Sequence, residues 1–215
     1  MLLEILKELE PTQTQLVAVS KTRTIAEIKA KYDLGHRVFG ENRVQELVEK
    51  AQQLPADIKW HQIGHLQTNK VKYIASFVEL IHAVDSFKLL KEINKQAVKN
   101  NRIIDCLLQF HIAQESSKFG FDRNDCQDML SDVAFNKLEN VRILGVMGMA
   151  TFTDLEAQVR KEFWTLKSIF EWLRNDYFQD KTYFKEISMG MSGDYKIAIE
   201  EGSTMVRIGS LLFTK

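Results

Sequence analysis

Residues 16–33 read LVAVSKTRTIAEIKAKYD, an apolar run that stops at a lysine and gives way to a helical pattern. The run does not alternate with polar residues, which suits a strand covered on both faces. Thr24 and Glu27 stand at capping-box spacing, where a hydroxyl and a carboxylate satisfy the free N–H groups that open a helix. The unit is strand, polar turn and helix, and outward from it the same unit recurs. With residues 16–20 as the first, further strand candidates lie at 37–40, 59–64, 80–84, 103–112, 141–149, 183–189 and 205–213. Helical patterns occupy 24–33, 44–54, 87–100, 123–135 and 155–177. Alternating strands and helices imply a parallel sheet. Eight strand candidates predict a closed (β/α)8 barrel of the TIM type, with an open doubly wound sheet as the alternative. Little chain follows the last apolar run, so an extra N-terminal helix is expected to cover the gap there. Only Pro11 and Pro55 interrupt the pattern and no low-complexity linker occurs, so residues 1–215 are read as one domain.

The composition narrows the function classes. The 215 residues are 45% hydrophobic and 27% charged, as in an ordinary globular domain. Lys and Arg together number 29, as do Asp and Glu, so there is no basic field for nucleic acid or an anionic membrane. Cys106 and Cys126 fall in no metal or redox spacing, which fits a reducing cytoplasm. The opening MLLEILKELE has apolar residues at helical spacing broken by Glu4, Glu8 and Glu10, and reads as an amphipathic helix rather than a signal peptide.

In such a barrel, chemistry collects at the C-terminal ends of the strands. The polar segments of this chain fall there: Lys21 and Thr22, Glu41 and Asn42, His65 and Gln67, Asp85 and Ser86, residues 114–120, residues 188–194, and Arg207 with Gly209. A lysine desolvated at the end of an apolar strand would offer a neutral amine, the nucleophile for a Schiff base. An ion pair between Lys21 and a neighbouring strand is the alternative. The segment SMGMSGDYKIAIEEGSTMVRIG (residues 188–209) reads as a phosphate cradle. Gly190 and Gly193 would admit a ligand close to the backbone, and Asp194 would cap a short helix at 196–201. A glycine-rich turn is the plainer alternative, and neither nucleotide-binding glycine pattern is present. His61 and His65 lie on a strand pattern and so make no helical metal pair. His36, His82 and His111 stand alone in the sequence, and no metal site is expected.

The motifs VAVSKT (17–22), FGENRVQE (39–46), WHQIGHLQTNK (60–70), VDS (84–86), SSKFGF (116–121), GVMGMA (145–150) and residues 188–209 run in order over nearly the whole chain. In these the chain resembles the pyridoxal phosphate homeostasis proteins, single-domain relatives of the alanine racemase barrel (fold type III among pyridoxal-phosphate proteins). The resemblance implies pyridoxal 5'-phosphate as cofactor, held as an aldimine on Lys21, with Asn42 lining its ring. Ser188 and Ser192 are expected near the phosphate with the backbone of Gly209 and Ser210, and Arg207 beside the ring nitrogen or the phosphate. Departures are small: Gln62 and Thr68 stand where relatives vary, and the chain ends in TK rather than the glycine often seen there.

Three functions follow from these readings. A non-catalytic carrier would store, buffer or deliver the cofactor, as a monomer whose partners are apo pyridoxal-phosphate enzymes. An amino-acid racemase is the alternative, although racemases of this kind carry a second β domain and take a base from a partner subunit. A Schiff-base aldolase would keep Lys21 but leave the motif set unexplained.

Overall fold

The computed structural model describes residues 1–114 and 119–213. Eight strands, all parallel, close a barrel in sequence order. They are β1 (Gln15–Val19), β2 (Val38–Glu41), β3 (Lys59–Gln62), β4 (Leu80–Val84), β5 (Ile104–Gln109), β6 (Val141–Met147), β7 (Glu186–Met191) and β8 (Met205–Ile208). The helices are α1 (Leu2–Leu9), α2 (Ile25–Asp33), α3 (Val44–Gln53), α4 (Phe87–Lys99), α5 (Arg123–Ser131), α6 (Glu156–Asp176) and α7 (Tyr195–Glu200). None is long and apolar enough to cross a membrane.

Closure sets the strand patterns. With helices outside and packed side chains inside, both faces of most strands are buried, so the strands read as apolar runs. Val17, Val19, Val38, Ile63, Leu80, Leu107, Met147 and Met205 form the inner cluster. A larger cluster between sheet and helices extends from Leu2 to Phe213. Where β6 meets β7, Gly145 has φ +155°, and a Cβ there would lie 1.8 Å from the Glu186 carbonyl oxygen, so only glycine fits.

The seam is the β1–β8 ladder, which sets Val17 opposite Arg207 and Ala18 opposite Ile208. Helix α1 packs Leu2, Ile5 and Leu9 into the core and accepts a hydrogen bond on Glu8 from the Tyr195 hydroxyl of α7 (2.7 Å). It thus fills the slot beside α7 that a helix after β8 would occupy, as expected. Several strands are shorter than their apolar runs. After Ile208 the chain turns, with the amides of Leu212 and Phe213 bonded to the Gly209 carbonyl, and both side chains bury from a turn. The crossover from β3 to β4 is a 3-10 turn over Thr68–Tyr73, which the sequence pattern did not disclose.

Candidate functional site

A cavity of about 730 Å³ opens at the C-terminal mouth of the barrel. Lys21 and Asn42 line one side, with Ser192, Arg207, Gly209 and Ser210 on the other. Of the seven residues expected to contact the cofactor, only Ser188 stays off the wall.

The Lys21 wall begins where β1 ends. The capping box opens α2 as expected: the Glu27 amide donates to Thr24 Oγ1 (3.3 Å) and the Thr24 amide to Glu27 Oε2 (2.8 Å). Between strand and helix lies the turn Ser20–Lys21–Thr22, in which Thr22 has φ +62°, a left-handed conformation that β-branched residues rarely adopt. The Lys21 side chain is exposed, and among the described residues no hydrogen bond or ion pair engages it. Two expectations for the surroundings of this lysine, desolvation and the alternative ion pair, therefore need correction. Its amine is neither desolvated nor ion-paired, because β1 ends at Val19 and the side chain stands beyond the apolar strand.

Behind this turn lies an ionic cluster that sequence reasoning missed. Lys50 of α3 is buried and donates to Glu41 Oε1 (2.7 Å) and to the Ser20 carbonyl (2.8 Å), with Glu46 Oε2 at 3.1 Å. Ser20 Oγ also donates to Glu41 Oε1 (2.6 Å), and the Thr22 amide to Glu46 Oε2 (2.9 Å). Burial pushes the Glu41 carboxyl above the usual carboxylate range, against the pull of Lys50 and Ser20. Glu41 Oε2 and Gln62 Oε1, on register partners of β2 and β3, are buried with no hydrogen-bond partner among the described residues. The signal for Lys50 was present in the sequence: it sits three residues after Leu47 on the apolar stripe of α3 and four after Glu46. Asn42 is held through its backbone, since Gln62 Nε2 donates to its carbonyl (2.9 Å) and to that of Gly64 (3.0 Å). Gly64 approaches so closely that a Cβ would sit 2.5 Å from the same Asn42 oxygen.

The adjoining wall, across the β1–β8 seam, is the end of β7 and β8. Gly190, at φ +93°, lets the chain turn over α7, where a Cβ would meet the Ala198 methyl at 2.5 Å. The Gly209 amide donates to Ser192 Oγ (3.3 Å). Asp194 does not cap α7 through its side chain as expected. Its Oδ1 accepts from the Met191 amide (2.5 Å) and closes the turn before the helix.

Arg207 is 3% exposed and reaches the cavity from the barrel floor. Its guanidinium donates to Ser188 Oγ (2.6 Å) and to the Gly148 carbonyl (3.0 Å). Ser188 lies 2.9 Å from His82 Nδ1, and His82 Nε2 lies 2.9 Å from His61 Nδ1. Because β4 and β7 are not neighbours, the His82–Ser188 bond runs through the barrel interior. Burial lowers both imidazoles, His61 to about 3 and His82 well below the usual histidine value, so both rings are neutral. With neutral rings one direction puts a hydrogen in each of the three contacts and uses the serine proton: Arg207 donates to Ser188, Ser188 to His82, and His82 to His61, which then carries its own hydrogen on Nε2. Burial also lowers Arg207 to about 10, which leaves it cationic at neutral pH. These histidines are satisfied within the fold, as structural histidines are expected to be, because strand neighbours share the barrel interior. His36 (Nε2 to the Val38 carbonyl, 2.8 Å) and His111 are likewise partnered.

His65 completes the rim, paired with Asp85 Oδ2 (2.8 Å) and stacked on Phe119 at 4.0 Å between ring centroids. Residues 116–118 of the SSKFGF motif, and Glu115 before it, lie outside the described residues. No group of three metal-ligating side chains occurs among the described residues.

Comparison with known proteins bears on this arrangement. The family model for the alanine racemase N-terminal domain matches residues 3–215. The chain is 40% identical to the pyridoxal phosphate homeostasis protein of Aquifex aeolicus over 200 residues, covering 93% of this chain and 86% of that one. Its fold matches PipY of Synechococcus elongatus solved with PLP bound, with a TM-score of 0.88, 33% identity and coverage of 99% and 98% of the two chains. Alanine racemase of Bartonella henselae shares the fold at a TM-score of 0.71 and 15% identity, over 96% of this chain and 56% of the racemase.

Proposed function

The chain belongs to the pyridoxal phosphate homeostasis protein family, and from that premise we propose that it binds pyridoxal 5'-phosphate (PLP) and serves intracellular PLP homeostasis by storage, buffering or delivery. The observation that carries this reading is the convergence of a free amine, Lys21, and a buried cation, Arg207, on one cavity with Ser192, Gly209 and Ser210. The donor set fits the cofactor. When bound, PLP supplies an aldehyde carbon to which a primary amine bonds with loss of water. Lys21 Nζ is that amine, and Asn42 flanks the ring. Ser192, Ser210 and the Gly209 backbone offer neutral donors to a phosphate, while Arg207 adds fixed positive charge beside the phosphate or the ring nitrogen. Ser188 acts one step back, by holding Arg207.

The protein is a carrier rather than a catalyst in this reading. A guanidinium beside the ring nitrogen disfavours its protonation and so weakens electron withdrawal into the ring. One observation favours a second reading, an amino-acid racemase: His65 Nδ1 is held by Asp85, which leaves Nε2 able to act as a base at the wall. The holo-protein should be incubated with L- and D-amino acids while chirality, keto-acid formation and α-deuterium exchange are followed. Transfer of PLP to an apo-enzyme without turnover is expected. Steady Lys21-dependent turnover, on the order of 1 per second or more, would establish the racemase reading instead.

The partners of such a carrier are apo PLP-dependent enzymes, and we read the protein as a cytoplasmic monomer. Its neutral charge offers nothing to nucleic acid or membrane. Cys106 and Cys126 are free and buried; burial pushes the Cys126 thiol up to about 12 and Cys106 higher still, leaving both inert, as suits a reducing compartment.

A further inference from the structure

We propose that Lys50 and Glu46 are positioning residues for Lys21, acting through the two peptide groups that flank it. The proposal rests on the reading of Lys21 as the covalent tether and adds how that tether is aimed. Lys50 Nζ donates to the Ser20 carbonyl (2.8 Å), which belongs to the peptide group entering Lys21. Glu46 Oε2 accepts from the Thr22 amide (2.9 Å), which belongs to the peptide group leaving it. Lys50 and Glu46 are themselves paired at 3.1 Å, one helical turn apart on α3. Both peptide planes that meet at the Lys21 Cα are therefore anchored to a single side-chain pair on a regular helix. Two fixed planes fix φ and ψ, and with them the direction of the Cα–Cβ bond.

The side chain beyond that bond carries no restraint of its own among the described residues, so aim must come from the backbone. The turn in which the neighbouring Thr22 sits at φ +62° is closed by the Arg23 amide on the Ser20 carbonyl (3.0 Å), and the Glu46 carboxylate adds a hold on Thr22 from outside that turn. Lys50 is in turn seated by Glu41 on the end of β2, so the helix-borne pair is keyed to the sheet. A buried ion pair is a poor means of gaining stability, because desolvation offsets its attraction. Holding a turn in one shape is a use that such a pair serves well, since a reactive group gains most from a fixed geometry.

The test separates aiming from binding and from folding. Pyridoxamine 5'-phosphate has the ring and phosphate of PLP but an amine in place of the aldehyde, so its affinity reports the cavity without the tether. In Glu46→Ala the rate of borohydride-trappable attachment of PLP to Lys21 should fall at least about tenfold, equivalent to about 1.4 kcal/mol, with pyridoxamine 5'-phosphate affinity within about twofold of the parent. Glu46→Gln, which retains an acceptor for the Thr22 amide, should recover much of that rate. Lys50→Met should behave as Glu46→Ala, and if it does not fold the two Glu46 variants decide. An unchanged trapping rate overturns the proposal, as does a parallel loss of trapping and pyridoxamine 5'-phosphate affinity, or a glutamine variant no better than alanine. Trapping of PLP on a different lysine in the parent protein sinks the tether reading itself, and this proposal with it.

Discussion

On the β1–β2 side of the cavity the proposed tether, Lys21, has a side chain with no bond among the described residues, while a charged cluster outside the barrel grips the backbone around it. On the β7–β8 side the functional cation is itself gripped, by a neutral chain of Ser188, His82 and His61 inside the barrel. The difference matches the tasks proposed for the two walls. A tether must swing, react and let go, so its root is fixed and its tip is left free. A fixed charge is most effective when it need not reorganise, so Arg207 is held at the guanidinium. The kinds of network follow from place. Lys50 and Glu41 are both buried, but Glu46 carries the cluster out toward the partly exposed rim, whereas inside the barrel the Arg207 cation is met by neutral acceptors.

The largest effect that would test this contrast is at Lys21. Lys21→Ala should abolish borohydride-trappable PLP altogether, as read by peptide mass analysis and loss of the absorbance band. Because the side chain is exposed, thermal unfolding should shift by no more than a surface change does, about 0.5 kcal/mol. A large loss of stability would mean that the amine is more engaged than its surroundings indicate.

A graded effect is expected on the wall across the β1–β8 seam. Arg207→Gln should weaken PLP binding by about ten- to a hundred-fold, the worth of about 1.5–3 kcal/mol for a hydrogen bond to a charged group. Ser192→Ala should cost less, since a hydroxyl offers a neutral bond. Equal affinities for the parent and both variants in a titration would remove the cradle from this wall.

The remaining effect is a slope, small over any one pH unit. His61 titrates at about 3 when folded, against the ordinary histidine value of 6.5, so as pH falls below 6.5 the unfolded chain takes up the proton first. Stability is therefore lost progressively from about pH 6.5 down toward 3, with a slope of up to about 1.4 kcal/mol per pH unit for each such histidine. His61→Leu should flatten the acid limb of a urea-unfolding series by up to that amount, whatever it does to stability at neutral pH. An unchanged limb would show that the ring is hydrated or already charged.

What could be read from the sequence divides along the same line. Strands covered on both faces announce themselves as apolar runs, so all eight were found in order, with errors at their ends. The run at 205–213 overshot because Leu211, Leu212 and Phe213 are apolar yet pack from a turn after Gly209. The 3-10 turn over Thr68–Tyr73 went unread because its polar sequence carries no helical stripe. Lys21, Asn42, Ser192, Arg207, Gly209 and Ser210 were legible because each sits in a local motif at a strand end. The two supporting networks were not. Lys50 meets Glu46 one turn along its own helix, but it meets Ser20 and Glu41 only once α3 lies against β1 and β2, and His82 meets Ser188 only once the barrel closes around them.

Arg207 stands on the last strand and Lys21 just past the first, and only the β1–β8 ladder brings them to one cavity. That pairing spans nearly the whole chain, so it carries the largest loop-closure cost of any seam in the barrel. A chain still emerging from the ribosome has no PLP site until β8 is in place. Once it is, a ligand held on both sides of the seam adds its binding free energy to closure and slows the reopening of that ladder. Occupancy would then be recorded in the lifetime of the fold, and native-state hydrogen exchange along β1 and β8 is where it would register first.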